Sequence, residues 1–108
     1  MGLFKKPYKK ISQQEAKSML DAGNGVLVDV RRPEEFKSGH IPGARLLTLN
    51  TINETTASEV IPHKDDPVLV YCLSGGRSRT AAAKLSSLGY SNVYDIGGIG
   101  TWPYEIEV

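Results

Sequence analysis

The chain has 108 residues, enough to bury one hydrophobic core and too few for two, so residues 1–108 are read as a single domain. Thirteen Lys and Arg against twelve Asp and Glu leave a net charge of +1, which offers no global field for a nucleic acid or an anionic membrane surface. The longest apolar runs, residues 25–30 and 68–72, are far shorter than the roughly 20 residues that span a bilayer.

Lys5, Lys6, Lys9 and Lys10 make a short basic start that is read as a solvated edge without a function of its own. It leads into a polar helix rather than the apolar stretch of a secretory signal, so a cytoplasmic protein is expected. A weak first strand is predicted over residues 8–11. A helix follows, announced by Ser12 with Glu15 three residues later, a capping box, and its core stripe is Ala16, Met19 and Leu20. Gly23 and Gly25 end that helix and admit the β-branched run Val26-Leu27-Val28-Asp29-Val30, a buried parallel strand. Pro33 at a first helical position, with Glu34 and Glu35 behind it, predicts a short helix ending near Gly39. A third strand is expected over residues 44–49 and a Thr-rich helix over residues 53–61. Val68-Leu69-Val70-Tyr71 is the second clear buried strand. After it come a helix from about Arg79 to Leu88, stopped by Gly89, a fifth strand over residues 93–96, and an irregular tail that packs Trp102. Short apolar segments alternating with amphipathic ones describe an α/β domain with right-handed crossovers.

Cys72 is the only cysteine, so no internal disulfide can form, in keeping with a reducing compartment. It ends the strand of residues 68–71, and Leu73, Ser74, Gly75, Gly76, Arg77 and Ser78 connect it to a helix. The sulfur is thereby expected at the carboxyl edge of the sheet, where open α/β sheets keep their sites. Two glycines permit a tight turn whose successive N–H groups can converge on an anion, backed by a helix N-terminus. A free thiol with pKa about 8.5 is only roughly 3% thiolate at pH 7. One helix terminus contributes about 1 kcal/mol, or roughly 0.7 of a pH unit, which leaves the thiolate a minority. Several loop amides and the Arg77 guanidinium are therefore expected to act together and depress the Cys72 pKa. A cysteine that merely fills a core needs neither the glycines nor the arginine.

The loop resembles that of the rhodanese family, Cys-x-x-Gly-x-Arg followed by Ser or Thr, here Cys72, Gly75, Arg77 and Ser78. Asp29-Val30-Arg31 with Pro33, Glu35 and Phe36 is similar to the family's first signature, and Gly39-His40-Ile41-Pro42-Gly43-Ala44 to its second. Gly97-Gly98 with Trp102 resembles its C-terminal end. The resemblance implies a rhodanese-like three-layer domain with a central five-stranded parallel sheet flanked by helices. It also implies a sulfurtransferase whose thiolate takes a sulfane sulfur, with thiosulfate the first choice of donor, and hands it on. Cys72 would carry the persulfide. The amides of residues 73–78 would stabilise it, and Arg77 would orient a small anionic donor. The acceptor would be cyanide or a thiol, including one on a protein. No metal and no organic cofactor is implied, and the domain is expected to be a monomer or weak dimer.

Asp29, Arg31 and Glu35 are read as a polar network that supports the first signature. His40 is read as structural in its turn, Arg79 as exposed, and Arg45 as a residue that can face the site mouth; His63 has no assigned partner. Two other functions compete. A cysteine-dependent phosphatase or arsenate reductase uses a loop with five residues between Cys and Arg, whereas four lie between Cys72 and Arg77. A non-catalytic binding or regulatory module of the same fold typically lacks the cysteine that is retained here.

Overall fold

A computed structural model of the chain describes residues 7–108; Lys5 and Lys6 lie outside the described residues. The two apolar runs form the centre of the sheet as β2 (Val26–Asp29) and β4 (Val68–Cys72), paired in parallel with Val28 opposite Val70. β5 (Val93–Gly98) adds to the other side of β4, and the short β1 (Lys9–Lys10) and β3 (Arg45–Leu46) close the two edges. The resulting order, β1-β5-β4-β2-β3, is a five-stranded, all-parallel sheet, the architecture expected from the sequence.

Alternation along the strands divides the core into two layers. Val28, Val30, Val68, Val70 and Cys72 face one way, toward α3 (Glu54–Val60) and α4 (Gly76–Ser87). Leu27, Leu69 and Tyr71 face the other way and pack with Ala16 of α1 (Gln13–Asp21), Ile41 and Trp102. α1 begins with the predicted capping box, the Ser12 hydroxyl accepting from the Glu15 amide at 3.0 Å. α2 (Pro33–Ser38) ends at Gly39, as expected.

Several boundaries differ from the sequence reading. β1 and β3 shrink to two residues each, because an edge strand gains hydrogen bonds from one neighbour only. After β3 the backbone leaves the ladder at Leu46, short of the expected end at Leu49, and turns through a 3-10 helix at Leu49–Thr51. β5 runs two residues beyond the expected Ile96, to Gly98, and a second 3-10 turn, Ile99–Thr101, leads to a buried Trp102. The largest departure is at α4, which starts at Gly76 and not Arg79, so that Arg77 and Ser78 belong to its first turn. Gly75 explains this. With φ of +111° it takes the left-handed conformation and reverses the chain within one residue, while Gly76 is already helical.

Among the described residues no helix is long and apolar enough to cross a membrane.

Candidate active site

Cys72 is the last residue of β4, buried at 1% exposure, on the sheet face that α4 covers. The loop behind it turns back so tightly that the Gly75 amide donates a hydrogen bond to Cys72 Sγ at 3.0 Å. Burial pushes the thiol pKa up, but the amides of Ser78, Gly75 and Ser74 outweigh it and hold the thiol below its usual value. Among these donors Gly75 alone closes to a hydrogen bond with the sulfur; the others act as nearby oriented dipoles. The cradle is thus built from backbone at the start of α4, as the glycine-rich sequence suggests, although only Gly75 supplies the special turn.

The floor of the loop rests on the end of β5. Cys72 lies opposite Gly98 across a register shift that follows Val70. Gly98 is packed so closely under the loop that a Cβ there would fall 2.1 Å from the Leu73 carbonyl oxygen. That carbonyl accepts from the Gly100 amide at 3.1 Å. Gln13 of α1 reaches the same place, its Nε2 donating to the carbonyls of Ile96 (3.1 Å) and Gly98 (2.9 Å). Leu73 and Ser74 form the rim and are exposed.

Arg77 departs from the sequence expectation of a guanidinium aimed at the sulfur. It donates to both oxygens of Glu35, at 2.7 and 3.0 Å, and so ties the start of α4 to α2. A fork of N–H groups matched to a carboxylate closes on the nearest available one, and the first turn of α2 presents Glu35. The Cys72 thiolate influences Arg77 only through space, after that pair. Arg77 in turn holds the Glu35 carboxyl at about 2, helped by the Arg32 amide that also donates to it at 3.0 Å.

The expected network of Asp29, Arg31 and Glu35 is accordingly split in two. Asp29 and Arg31 form a closed buried pair, with Arg31 Nη2 at 2.8 Å from Asp29 Oδ2 and 2.7 Å from the Gly39 carbonyl. This pair locks the first signature to the second. Glu35 serves the loop instead. His40 stacks on Phe36 with ring centroids 3.9 Å apart, bonds through Nδ1 to the Phe36 carbonyl at 3.0 Å and faces Glu107, a structural role. Arg45 is turned from the mouth, its Nη1 donating to the Val60 carbonyl at the end of α3 at 2.7 Å. Arg79 and His63 are exposed.

The sequence reading passed over Asp95. It is buried at 1% exposure beneath α4, and its Oδ1 accepts from the Ser78 hydroxyl at 2.7 Å and from the Gly97 amide at 3.0 Å. The signal was present as a lone charge inside the apolar strand Val93-Tyr94-Asp95-Ile96. Among the described residues no group of three or more His, Cys, Asp or Glu could hold a metal ion.

A buried thiol of lowered pKa faced by loop amides has the chemistry of a nucleophile beside an anion site, and comparison with known proteins supplies the family. The family model for the rhodanese-like domain matches residues 12–103. The chain belongs to the rhodanese-like family. The thiosulfate sulfurtransferase GlpE of Stutzerimonas stutzeri is 38% identical over 105 residues, covering 93% of each chain. The protein of the same name from Tolumonas auensis is 38% identical over 106 residues, 94% of this chain and 97% of the relative. Among solved structures, a rhodanese with anions from E. coli superposes with a TM-score of 0.71 at 31% identity, over 77% of this chain and 96% of that one. The human single-domain sulfurtransferase TSTD1 gives 0.74 at 26% identity, over 86% and 92%. This rhodanese-like chain is an enzyme of the sulfurtransferase class.

Proposed function

We propose that this rhodanese-like protein moves the outer sulfur of thiosulfate onto Cys72 and from there to cyanide or a thiol. The Cys72 thiolate attacks the sulfane sulfur of thiosulfate; a new S–S bond forms, the old one breaks, and sulfite departs with its electron pair. Cys72 is left as a persulfide. A nucleophile then attacks the terminal sulfur, with cyanide leaving as thiocyanate, and the thiolate returns. The cycle balances without an external oxidant, metal or organic cofactor.

The Gly75 amide at 3.0 Å from the sulfur carries this reading, because amides that already face the thiolate can also hold the negative terminal sulfur of a persulfide. Leu73, Ser74, Gly76 and Ser78 complete the cradle in this proposal. An arginine has five N–H donors, and Arg77 uses two of them on Glu35, so three remain to meet the sulfonate end of an anionic donor. Glu35 supports the loop through Arg77, while Asp29 and Arg31 brace the two signatures beside it. Thiosulfate is preferred because both GlpE relatives carry it in their names and the E. coli rhodanese was solved with anions.

The test is to incubate the protein with thiosulfate, weigh it intact and add cyanide. One extra sulfur that disappears as thiocyanate is expected, and Cys72→Ser must do neither. Absence of any added sulfur from any sulfane donor would sink the proposal.

A further inference from the structure

Of the charged side chains buried among the described residues, Asp29 and Arg31 neutralise each other, whereas Asp95 has no cationic partner. An ion held out of water needs compensating hydrogen bonds. Those of Asp95 come from the two sides of the active-site loop: the Ser78 hydroxyl in the first turn of α4, and the Gly97 amide at the end of β5, both on the single atom Oδ1. A serine hydroxyl has one proton. The Ser78 oxygen also lies 3.1 Å from the Gly75 carbonyl and 3.3 Å from that of Gly97, but Asp95 at 2.7 Å is the nearest and the charged acceptor, so the proton is directed there. That proton is not available to the sulfur, and Ser78 acts on Cys72 through its amide.

The second tie is equally local. Gly97 has φ of +87°, a turn that the Asp95 side chain closes through the Gly97 amide, and Gly98, the next residue, is the one pressed against Leu73. One carboxylate oxygen therefore fixes both the helix turn above the sulfur and the strand end beneath the loop. We propose that Asp95 is a positioning residue of the sulfur cradle, whose Oδ1 keeps the loop amides converged on Cys72 by holding Ser78 and Gly97 together.

The inference rests on Cys72 being the reactive group of the proposed transfer. The other charged groups packed around the loop are Arg77 of α4 with Glu35 of α2, and the closed Asp29 and Arg31 pair at the end of β2; none of these touches Ser78. The charge of Asp95 by itself would disfavour a neighbouring thiolate, so a geometric role and an electrostatic role predict opposite signs.

The experiment measures iodoacetamide alkylation of Cys72 against pH in the full chain, together with kcat and KM for thiosulfate and cyanide. In Asp95→Ala the alkylation midpoint is expected to rise by about one pH unit. At pH values well below the midpoint the thiolate fraction then falls about tenfold, greater intrinsic nucleophilicity returns about threefold, and alkylation slows by about threefold net. Asp95→Asn, which keeps an oxygen to accept both bonds and loses the charge, is expected not to raise the midpoint. Midpoints that fall in both variants, or that move in neither while the protein stays folded, would overturn the proposal. If Asp95→Ala does not fold, Ser78→Ala breaks the same tie from its other end and Ser78→Thr keeps it: a midpoint that rises in the first and holds in the second supports the tie, and one that holds or falls in Ser78→Ala overturns it. Alkylation is read on the free thiol, so a chain that never accepts sulfur would refute the proposed reaction and leave this test standing.

Discussion

Arg77 grips Glu35 with two hydrogen bonds across 42 residues of sequence, and in doing so joins the first turn of α4 to α2. The motif arginine is thereby a half-neutralised cation at the edge of the cradle, its side chain one-third exposed. The amides, rather than the guanidinium, face the sulfur.

Glu35→Gln is expected to lower stability by about 1 kcal/mol at pH 7, the worth of a well-formed pair still in contact with solvent. It also removes one negative charge near the site, so KM for the thiosulfate dianion should fall by about threefold. Thermal unfolding and steady-state kinetics on the same sample check both. The pH dependence has a definite sign. Glu35 is held at about 2 in the folded state, below the unfolded carboxyl at about 4.3, so the pair stabilises above that unfolded value. Its contribution drains away as pH falls through about 2, and the difference between wild type and variant should shrink and vanish over that interval.

Alkylation of wild-type Cys72 should titrate below the free-thiol value of about 8.5, in line with its lowered pKa. Gly75→Ala should raise that midpoint. A Cβ at φ of +111° costs about 1–2 kcal/mol, and the residue relieves it by rotating the amide that holds the sulfur. An unchanged midpoint in a folded Gly75→Ala protein would separate the cradle from the thiol's acidity.

Gly98 and Gly76 make a contrasting pair. Gly98→Ala drives a Cβ into the Leu73 backbone, 2.1 Å from the carbonyl oxygen, and should cost about 3 kcal/mol together with at least tenfold in sulfur transfer. Nothing lies within 4 Å of a Cβ at Gly76, which is helical already, so Gly76→Ala should stabilise by about 0.4–1 kcal/mol. Chemical denaturation of the two variants distinguishes steric from conformational use of glycine.

Arg31→Ala leaves Asp29 buried without its partner and should destabilise by about 3–5 kcal/mol. Because the pair braces the two signatures and not the sulfur, the Cys72 alkylation midpoint of the folded fraction should stay where it is. A midpoint that moved would place Asp29 and Arg31 in the cradle itself.

Much of the fold is legible from local pattern. The runs at residues 26–30 and 68–72 can only be buried strands, Ser12 with Glu15 caps α1 as written, and Cys72 at a strand end ahead of two glycines points to the carboxyl edge of the sheet. Less legible is where α4 begins. Ser74-Gly75-Gly76 has the composition of a loop, yet one left-handed residue suffices for the reversal, and Gly76 can join the helix.

The chain order of residues is enough to single out Cys72 and its loop as the candidate site and to give the class of chemistry, because strand, turn and helix N-terminus are all contiguous there. It does not say which distant side chain meets which. Glu35 finds Arg77, and Asp95 finds Ser78, only because the order β1-β5-β4-β2-β3 sets β5 and β2 on either side of β4. Partners in a buried polar network are chosen by distance in space, and that distance exists only once the sheet has assembled.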